Sequence, residues 1–393
     1  MITLTEKDNC CGCTACANVC PKHCISMRED DEGFLYPIVN TDLCIKCNKC
    51  VNVCPYKQEK LFNENIDAAY IIRAKNTEYL KNGTSGGFVG PLIEYILKND
   101  GVSCAAIMDK DMNVHHSFIS DINEWKQIYD KVQGSKYVQS ELGDCFEKIK
   151  KFLLQEKQVL FIGTPCQVNG LRNYLNGVNL ENLLLVDIIC HGVPSKLLWN
   201  SYKDYQEKQY KATIIDSKFR KKTYGYNGST MSLVFNDGKQ YDGFLRTDIM
   251  LKAYYGNLGT RYSCFNCPAK GDRRSSDFTI FDSWHANELV PKSINDNRGY
   301  TNVLFRSAKA HTYWESMKDK YLYYEIEPSI AIQMDGVMYS RNTIPHLNRE
   351  KLYTMLRERD LKDVMKSLMP VTINDKVRVV IKKMLLKGKR WKA

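Results

Sequence analysis

Cysteines at a fixed spacing occur twice near the start of the chain. The pattern Cys10-x2-Cys13-x2-Cys16-x3-Cys20-Pro21 recurs as Cys44-x2-Cys47-x2-Cys50-x3-Cys54-Pro55, at an offset of 34 residues. This run is typical of bacterial two-cluster ferredoxins, in which three thiolates of one loop bind one 4Fe–4S cluster and the cysteine before proline binds the other. The spacing therefore predicts one cluster held by Cys10, Cys13, Cys16 and Cys54, and a second held by Cys20, Cys44, Cys47 and Cys50.

A pair of zinc sites is the alternative for these cysteines. Zinc sites usually combine two separated Cys-x2-Cys or Cys/His pairs, and they do not show three cysteines at successive steps of three followed by Cys-Pro. Cys11 and Cys24 fall outside the pattern and are predicted to pack near the clusters. The acidic run 29–32 is predicted to be a solvated connection between the two half-modules.

Charge and hydropathy limit the classes of partner. The formal net charge of +11 arises mainly from residues 376–393, which carry eight Lys or Arg and no acidic residue. The body of the chain is therefore not basic enough to indicate a nucleic-acid-binding protein. The sequence lacks a run of about twenty apolar residues and a secretory leader, so we expect a cytoplasmic protein. Abundant cysteine in that reducing compartment indicates metal binding or catalysis.

Strand and helix patterns alternate after residue 65. Strands are predicted at Ala68–Ala74, Val102–Met108, Val114–Ile119, Gln158–Ile162 and Leu183–Ile189, and helices at Ser85–Lys98, Glu141–Glu156 and Ser195–Gln209. Such alternation is typical of an α/β domain with a largely parallel sheet. The expected architecture is an α+β two-cluster ferredoxin module (1–62), this α/β domain (66–345) and a helical C-terminal region with a basic amphipathic tail (346–393).

Three predicted strand exits carry unusual residues. They are Gly83-Thr84-Ser85-Gly86-Gly87, Gly163-Thr164-Pro165-Cys166-Gln167 and Cys190-His191-Gly192. Ligands of α/β sheets bind at such exits. The Ser-Gly-Gly turn is compatible with a phosphate cradle and equally with a plain helix cap. Neither a GxGxxG nor a GxxxxGK[ST] motif occurs.

Four further cysteines fall in loops of this domain. Cys166 and Cys190 each follow a predicted strand, and Cys264 and Cys267 form a Cys-x2-Cys pair before Pro268. Together they could hold a third 4Fe–4S cluster or a structural zinc ion. Alternatively, Cys264 and Cys267 could act as a redox-active dithiol.

At these residues the chain resembles the coenzyme F-420 hydrogenase/dehydrogenase beta-subunit family, in its version with an N-terminal two-cluster ferredoxin domain. The resemblance covers residue 7 to about residue 340. It rests on the strand exits and the Cys-x2-Cys-Pro run named above, on Gly134-Ser135-Lys136-Tyr137-Val138, and on Ser276–Trp284. One departure is Phe281-Asp282-Ser283-Trp284-His285, where similar chains commonly have Gly-Asp-Phe-Trp-Gly.

The resemblance implies an oxidoreductase with bound FAD and a third 4Fe–4S cluster. The implied ligands of that cluster are Cys166, Cys190, Cys264 and Cys267. The implied flavin-side residues are Ser85, Gly86, Gly87, Lys136 and Thr164. No catalytic residue is assigned.

Electrons are expected to pass between a hydride carrier, FAD and the clusters, because a flavin accepts a hydride and can release its electrons singly. The carrier is either coenzyme F-420 or another small donor, and a ferredoxin or a partner redox enzyme is the expected acceptor. Two alternatives remain: an electron-transfer adaptor without a substrate site, and a cluster-linked dithiol/disulfide reductase.

The C-terminal tail carries a helical pattern. Val377, Val380, Ile381, Met384 and Leu385 recur at helical spacing between basic residues, and Trp391 lies near the end. Either this helix packs on the body with a solvated basic end, or it contacts the inner surface of an anionic membrane.

Overall fold

The computed structural model describes residues 1–2, 7–57 and 66–386. The first of the longer segments contains two short helices and a hairpin. These are α1 (Ala15–Asn18), β1 (Ile25–Glu29), β2 (Leu35–Val39) and α2 (Lys49–Asn52). The two strands pair antiparallel between the two cysteine runs. The predicted boundary at residue 62 falls outside the described residues, as does Trp391.

The second segment contains eleven strands within its described residues. They are β3 (Ala68–Ala74), β4 (Val102–Met108), β5 (Val114–Ile119), β6 (Val159–Gly163), β7 (Leu183–Ile188), β8 (Ile214–Lys221), β9 (Thr230–Phe235), β10 (Gln240–Phe244), β11 (Phe278–Ser283), β12 (Tyr300–Phe305) and β13 (Tyr321–Ile326). The predicted bounds of β3, β4 and β5 are confirmed residue for residue.

Helices connect and cover these strands. They are α3 (Thr77–Asn82), α4 (Val89–Lys98), α5 (Ile122–Gln133), α6 (Cys145–Leu154), α7 (Pro165–Tyr174), α8 (Lys196–Tyr210), α9 (Ile249–Tyr255), α10 (Ala286–Leu289), α11 (Ala308–Met317), α12 (Pro328–Asp335), α13 (Arg349–Leu356), α14 (Leu361–Leu368) and α15 (Ile373–Leu386). Within the described segments, no helix is long and apolar enough to cross a bilayer.

Eight strands form one sheet in the order β13-β3-β12-β11-β7-β6-β4-β5. The adjoining strands β11, β7, β6 and β4 are parallel, and β3 shares their direction because it is antiparallel to β12, which is antiparallel to β11. Strands β12, β13 and β5 run the other way. The predicted α/β domain is confirmed, with a mixed sheet whose centre is mostly parallel. The carboxyl ends of β3, β4, β6, β7 and β11 therefore lie at one edge.

Apolar helix faces cover both sides of this sheet. Helices α4, α5 and α11 pack on one face through residues such as Leu92, Trp125 and Trp314. Helices α6 and α7 pack on the other face, and Cys13 and Ala15 of the first segment join that core. A second, antiparallel sheet of order β10-β9-β8 packs with α8, α9, α13 and α14.

The acidic run between the cysteine repeats contacts the C-terminal region. Both carboxylate oxygens of Glu32 accept hydrogen bonds from Arg349, at 2.5 and 3.0 Å, and both side chains are largely buried. The prediction of a solvated connection is therefore wrong for Glu32, because the arginine compensates the carboxylate away from water.

Candidate functional site

The first predicted thiol set is brought together by the fold. Burial and the neighbouring thiols Cys10 and Cys54 raise the pKa of Cys16, and burial and Cys10 raise the pKa of Cys54. Cys16 and Cys54 are likewise within electrostatic range of Cys13. The backbone N–H of Gly12 donates to Cys10 Sγ at 3.4 Å. Four convergent thiols are the donor set that a 4Fe–4S cluster requires.

The backbone repeats the sequence offset of 34 residues. Gly12 and Lys46 have φ values of 70° and 54°, and Thr14 and Asn48 have φ values of 63° and 59°. These left-handed residues precede α1 and α2 at equivalent places. Alternation of this kind turns successive N–H groups toward a common centre, which favours an anionic group there.

The second predicted set lines one pocket near the surface of the molecule. Cys20, Cys44, Cys47 and Cys50 all line it, and Cys24 joins them with its sulfur 3.4 Å from Cys20 Sγ. The backbone N–H of Ile2 donates to Cys50 Sγ at 3.2 Å. Cys47 is exposed, so this set reaches the surface of the molecule.

The third set also converges. Burial, followed by the proximity of Cys190, Cys267 and Cys166, raises the pKa of Cys264. Burial and Cys166 raise the pKa of Cys267 to about 12. Lys270 Nζ donates to the carbonyl of Cys190 at 2.9 Å and to that of Met338 at 2.8 Å. In the described part of the chain, no three His, Cys, Asp or Glu side chains are arranged to hold a single metal ion.

Cys11 lies between the first and third sets. The neighbouring thiol of Cys13 and burial raise the pKa of Cys11, while the thiol of Cys166 lowers it, so Cys11 lies close to both. Cys166 stands in the first turn of α7, and Gly170 in the same helix lets Cys13 approach so closely that a Cβ there would lie 2.8 Å from Cys13 Sγ. The two cysteine sets are thus neighbours, although the sequence places Cys11 and Cys166 far apart.

A fully buried arginine occupies the same junction. Arg261 donates to the carbonyls of Cys10 (2.8 Å) and Leu35 (2.9 Å) and to Gln139 Oε1 (3.2 Å), and it stacks over Tyr36 at 4.1 Å. Within the described segments it makes no ion pair with a carboxylate, and the nearby thiols Cys10, Cys11 and Cys264 favour its charged form. Its positive charge is therefore available to compensate anionic groups held by these cysteines.

The predicted flavin-side residues lie along the carboxyl edge of the sheet, and several have internal partners. Ser85 donates to Asp282 at 2.6 Å, and the N–H of Gly86 donates to Thr301 Oγ1 at 2.9 Å. A Cβ at Gly86 would lie 2.3 Å from the carbonyl oxygen of Ile72, and Gly87 has a φ of 76°. The predicted helix start at Ser85 is wrong: α4 begins at Val89, because the Ser-Gly-Gly turn packs against β3 and β12 first.

Lys136 and Thr164 also contact their own surroundings. Lys136 Nζ donates to the carbonyls of Val132 and Gly134 at the end of α5, and burial lowers its pKa to about 7. Lys136 also lines an open pocket together with Met108 and Ile215. The Thr164 hydroxyl lies 3.3 Å from Cys166 Sγ.

An arginine–aromatic group at this edge was not predicted from the sequence. Arg220 pairs with Asp282 at 2.6 Å and lies 4.9 Å from the ring centre of Trp284, which stacks on Tyr226 at 4.2 Å. Burial opposes ionisation of Asp282, but Arg220 and the hydrogen bonds from Ser85 and Tyr226 hold its pKa below the usual range. Arg220 Nη2 is buried and has no hydrogen-bond partner among the described residues.

This group extends toward the third thiol set through tyrosines. Burial opposes protonation of Arg220, but Asp282, Tyr137 and Tyr255 raise its pKa. Tyr137 stacks on Tyr254 at 3.9 Å, and the ring of Tyr254 lies 5.2 Å from that of His191, the residue after Cys190. Asp282 and Trp284 are the positions at which segment 281–285 agrees with Gly-Asp-Phe-Trp-Gly, and this agreement was a usable signal for them; Arg220 carries no motif.

Comparison with known proteins bears on this arrangement. Residues 9–58 match the model of the 4Fe-4S dicluster domain, and residues 156–329 match that of the C terminus of the coenzyme F420 hydrogenase/dehydrogenase beta subunit. Residues 156–329 are a domain of the F420 hydrogenase/dehydrogenase beta-subunit family. The predicted family, the two-cluster module and oxidoreductase character are thereby confirmed. Arg220, Asp282 and all four cysteines of the third set fall within the beta-subunit domain.

Among solved structures, a chain of the F420-reducing [NiFe] hydrogenase complex from Methanosarcina barkeri, determined in a xenon derivatization study, is similar. The identity is 16%, the match covers 79% of this chain and 94% of that chain, and the TM-score is 0.44. No curated protein sequence matches the chain.

Proposed function

We propose that this chain is an iron–sulfur flavoprotein oxidoreductase that moves electrons between a hydride carrier, FAD and three 4Fe–4S clusters. The observation that carries the proposal is the proximity of the first and third thiol sets: a Cβ at Gly170, one turn after Cys166 in α7, would lie 2.8 Å from Cys13 Sγ. This proximity supports electron transfer between the two-cluster module and the beta-subunit domain.

The residues fit the three clusters by their chemistry. The first cluster would be held by Cys10, Cys13, Cys16 and Cys54, the second by Cys20, Cys44, Cys47 and Cys50, and the third by Cys166, Cys190, Cys264 and Cys267. Thiols crowded in buried positions resist ionising together, and iron supplies the positive charge that allows it. The convergence of Cys166 and Cys190 on Cys264 and Cys267 makes a set of four thiols rather than a pair, which favours the cluster over the disulfide reductase.

The arginine–aromatic group supports a flavin or hydride-carrier site beside the third set. Its buried Arg220 Nη2 has no hydrogen-bond partner among the described residues, and a bound carbonyl or phosphate oxygen would satisfy it. When bound, FAD would interconvert hydride pairs and single electrons. Ser85, Gly86 and Gly87 would then act as the packed wall of this site, while Lys136 and Thr164 flank it along the sheet edge.

The chain's own groups would orient that ligand. Asp282 holds Arg220 by an ion pair and is itself fixed by Ser85 and Tyr226, so the guanidinium is pre-organised. The stacked rings of Tyr226 and Trp284 offer a flat apolar surface that would exclude water from one side. The tyrosines 137 and 254 continue from this surface toward His191.

The surface around the second set supports docking of a ferredoxin or partner redox enzyme. Leu43 and Ile45 are 55% and 57% exposed beside Cys44 and Cys47. The side chains of Lys22, Lys46 and Lys49 are exposed around them. Exposed apolar residues within a basic rim suit an acidic electron-transfer partner.

The first test is the iron, acid-labile sulfide and flavin content of anaerobically purified protein. About twelve iron atoms and one FAD per chain are expected for three four-iron clusters. About eight iron atoms and no flavin after reconstitution with both would contradict the proposal and leave the adaptor. Trp284→Leu should then lower flavin retention without lowering iron, with Tyr323→Leu, exposed to a similar degree, as the matched control. Candidate donors, coenzyme F-420 first, would be screened by flavin bleaching.

A further inference from the structure

Helix α15 does not pack its apolar face against the body of the protein, as an amphipathic surface helix normally does. Of its residues, only Val379 is classed as buried, at 8% exposed. One turn earlier Asp375 accepts from Lys252 at 2.7 Å and lies 3.6 Å from Arg246. The same side of the helix contacts the body through Leu386, whose Cδ1 would lie 2.7 Å from a Cβ at Gly228, and through Lys382 and Lys383, whose Nζ atoms lie 5.9 and 5.6 Å from the ring centre of Phe244.

The apolar residues of α15 lie on the opposite side and face solvent. Their exposed fractions are Ile373 81%, Leu385 74%, Met384 66%, Ile381 51%, Val377 49% and Val380 49%. At 3.6 residues per turn these six side chains fall on an arc of about 140°, centred almost opposite Val379. An apolar stripe of this width normally faces a core. Here it faces away from one.

Basic residues border the stripe on both sides. On the same helical projection, Lys376 lies next to one edge and Arg378 next to the other, whereas Lys382 and Lys383 are turned further toward the body and lie over Phe244. The sole acidic residue of the helix, Asp375, is on the side that contacts the body. Residues 376–386 contain four basic residues and no acidic one, so every charged side chain in this part of the helix is positive.

We propose that α15 docks this protein on an anionic lipid surface, with the helix lying in the plane of the interface. Apolar side chains would enter the acyl boundary, while lysine and arginine stems on both borders reach the lipid phosphates. A protein groove that bound this helix would need an acidic wall along each edge of the stripe. An anionic bilayer surface is negatively charged everywhere and so faces both edges at once. The inference does not depend on the proposed redox function.

The test is co-sedimentation of the full-length, cluster-loaded protein with vesicles. One set of vesicles is phosphatidylcholine alone, and the other is phosphatidylcholine mixed with phosphatidylglycerol. The stripe variant is Ile381→Asp with Leu385→Asp. The matched control is Ile344→Asp with Leu347→Asp, two side chains outside α15 that are 77% and 99% exposed. Because all four positions are exposed, the variants should fold and retain their iron.

The wild-type protein and the control should bind the anionic vesicles at least about tenfold better than the neutral ones, and added salt should weaken that binding. The stripe variant should lose the binding. Three results would overturn the proposal: no binding at low salt, equal binding to both vesicles, or unchanged binding by the stripe variant. Self-association that the stripe variant abolishes, without vesicle binding, would instead identify an interface between copies of this chain.

Discussion

Cys13 Sγ lies so close to α7 that a Cβ at Gly170 would be 2.8 Å from it, and Cys11 lies near both Cys13 and Cys166, whose thiols shift its pKa in opposite directions. Cys13 belongs to the cysteine repeat, and Cys166 stands at the start of α7 in the beta-subunit domain. This contact joins two segments that could otherwise be independent modules. It makes Cys11 a residue through which electronic coupling between two thiol sets can be altered without removing a proposed ligand.

Replacing Cys11 with alanine should leave the iron content unchanged, because Cys11 lies outside both ligand sets. Electron transfer between the module and the body should slow severalfold, since a polarisable sulfur between Cys13 and Cys166 is lost. Freeze-quenched EPR after rapid reduction would measure the rate. Cys11→Ser, which places an oxygen atom where the sulfur was, should lie between alanine and wild type. Loss of about four iron atoms in the alanine variant would show instead that Cys11 is a ligand.

Arg261 places a buried positive charge at the same junction. Arg261→Gln should shift the midpoint potentials of the adjacent clusters to more negative values, because a nearby positive charge stabilises the reduced, more anionic state. The lost hydrogen bonds to Cys10, Leu35 and Gln139 should also cost about 3 kcal/mol of unfolding free energy. EPR-monitored redox titration measures the potentials.

Arg261→Lys is the matched control because it keeps the charge but cannot make all three contacts. It should lose stability while holding potentials near those of wild type. Equal shifts in the glutamine and lysine variants would mean that geometry, and not charge, sets the potentials.

Gly170 permits the contact between α7 and the first thiol set. Alanine is normally better than glycine inside a helix by about 1 kcal/mol. Gly170→Ala should nevertheless destabilise the chain and lower the iron content by about four atoms per chain, because its Cβ meets the sulfur of a proposed cluster ligand. Iron and sulfide analysis measures this. Gly134→Ala, where the nearest atom is 4.0 Å from the added Cβ, should retain all iron.

Local sequence patterns predicted much of the fold. Strands β3, β4 and β5 have strong apolar and β-branched runs, and their predicted bounds are confirmed. The cysteine repeat was readable because cluster ligands follow a fixed local spacing. The convergence of Cys166 and Cys190 was suggested by strand exits, since carboxyl ends of parallel strands meet at one edge.

Contacts between residues that are far apart in the sequence could not be predicted from it. Arg220 lies on β8 of the second sheet, and only the packing of two sheets brings it to Asp282 on β11. Glu32 looked solvated within its acidic run because its partner, Arg349, is more than 300 positions away. Cys11 had no spacing signal, since its role depends on where α7 docks. Such contacts depend on the tertiary arrangement, and composition and periodicity do not identify which distant residues it brings together.

The exposed apolar pair beside the second set can be tested independently of the flavin. Leu43→Asp combined with Ile45→Asp should lower the rate of electron transfer to a ferredoxin at least severalfold, because it removes apolar contact and weakens the local positive charge. Reduction of a small viologen dye, which needs no docking surface, should be unchanged. Stopped-flow spectroscopy measures both rates. Equal loss with dye and ferredoxin would mean that the variant damages the cluster itself.

Lys136 gives the chain a pH-dependent stability with a definite sign. Its side chain is held by the carbonyls of Val132 and Gly134, and burial lowers its pKa to about 7. In the unfolded chain its pKa is about 10.4. Between these values the unfolded state holds more protons, so the free energy of unfolding rises with pH across this window.

Lys136→Met should remove this rise. The stability of wild type relative to Lys136→Met should therefore increase from pH 7 to pH 10, by at most about 4 kcal/mol. Thermal unfolding of both proteins at matched pH values measures the difference, and Lys131→Met, on the exposed side of α5, controls for general loss of a lysine. Parallel curves for wild type and Lys136→Met would mean that Lys136 keeps an ordinary pKa in the folded protein. A difference that narrows with rising pH would mean that it is stabilised in its charged form, as a lysine facing an anionic ligand would be.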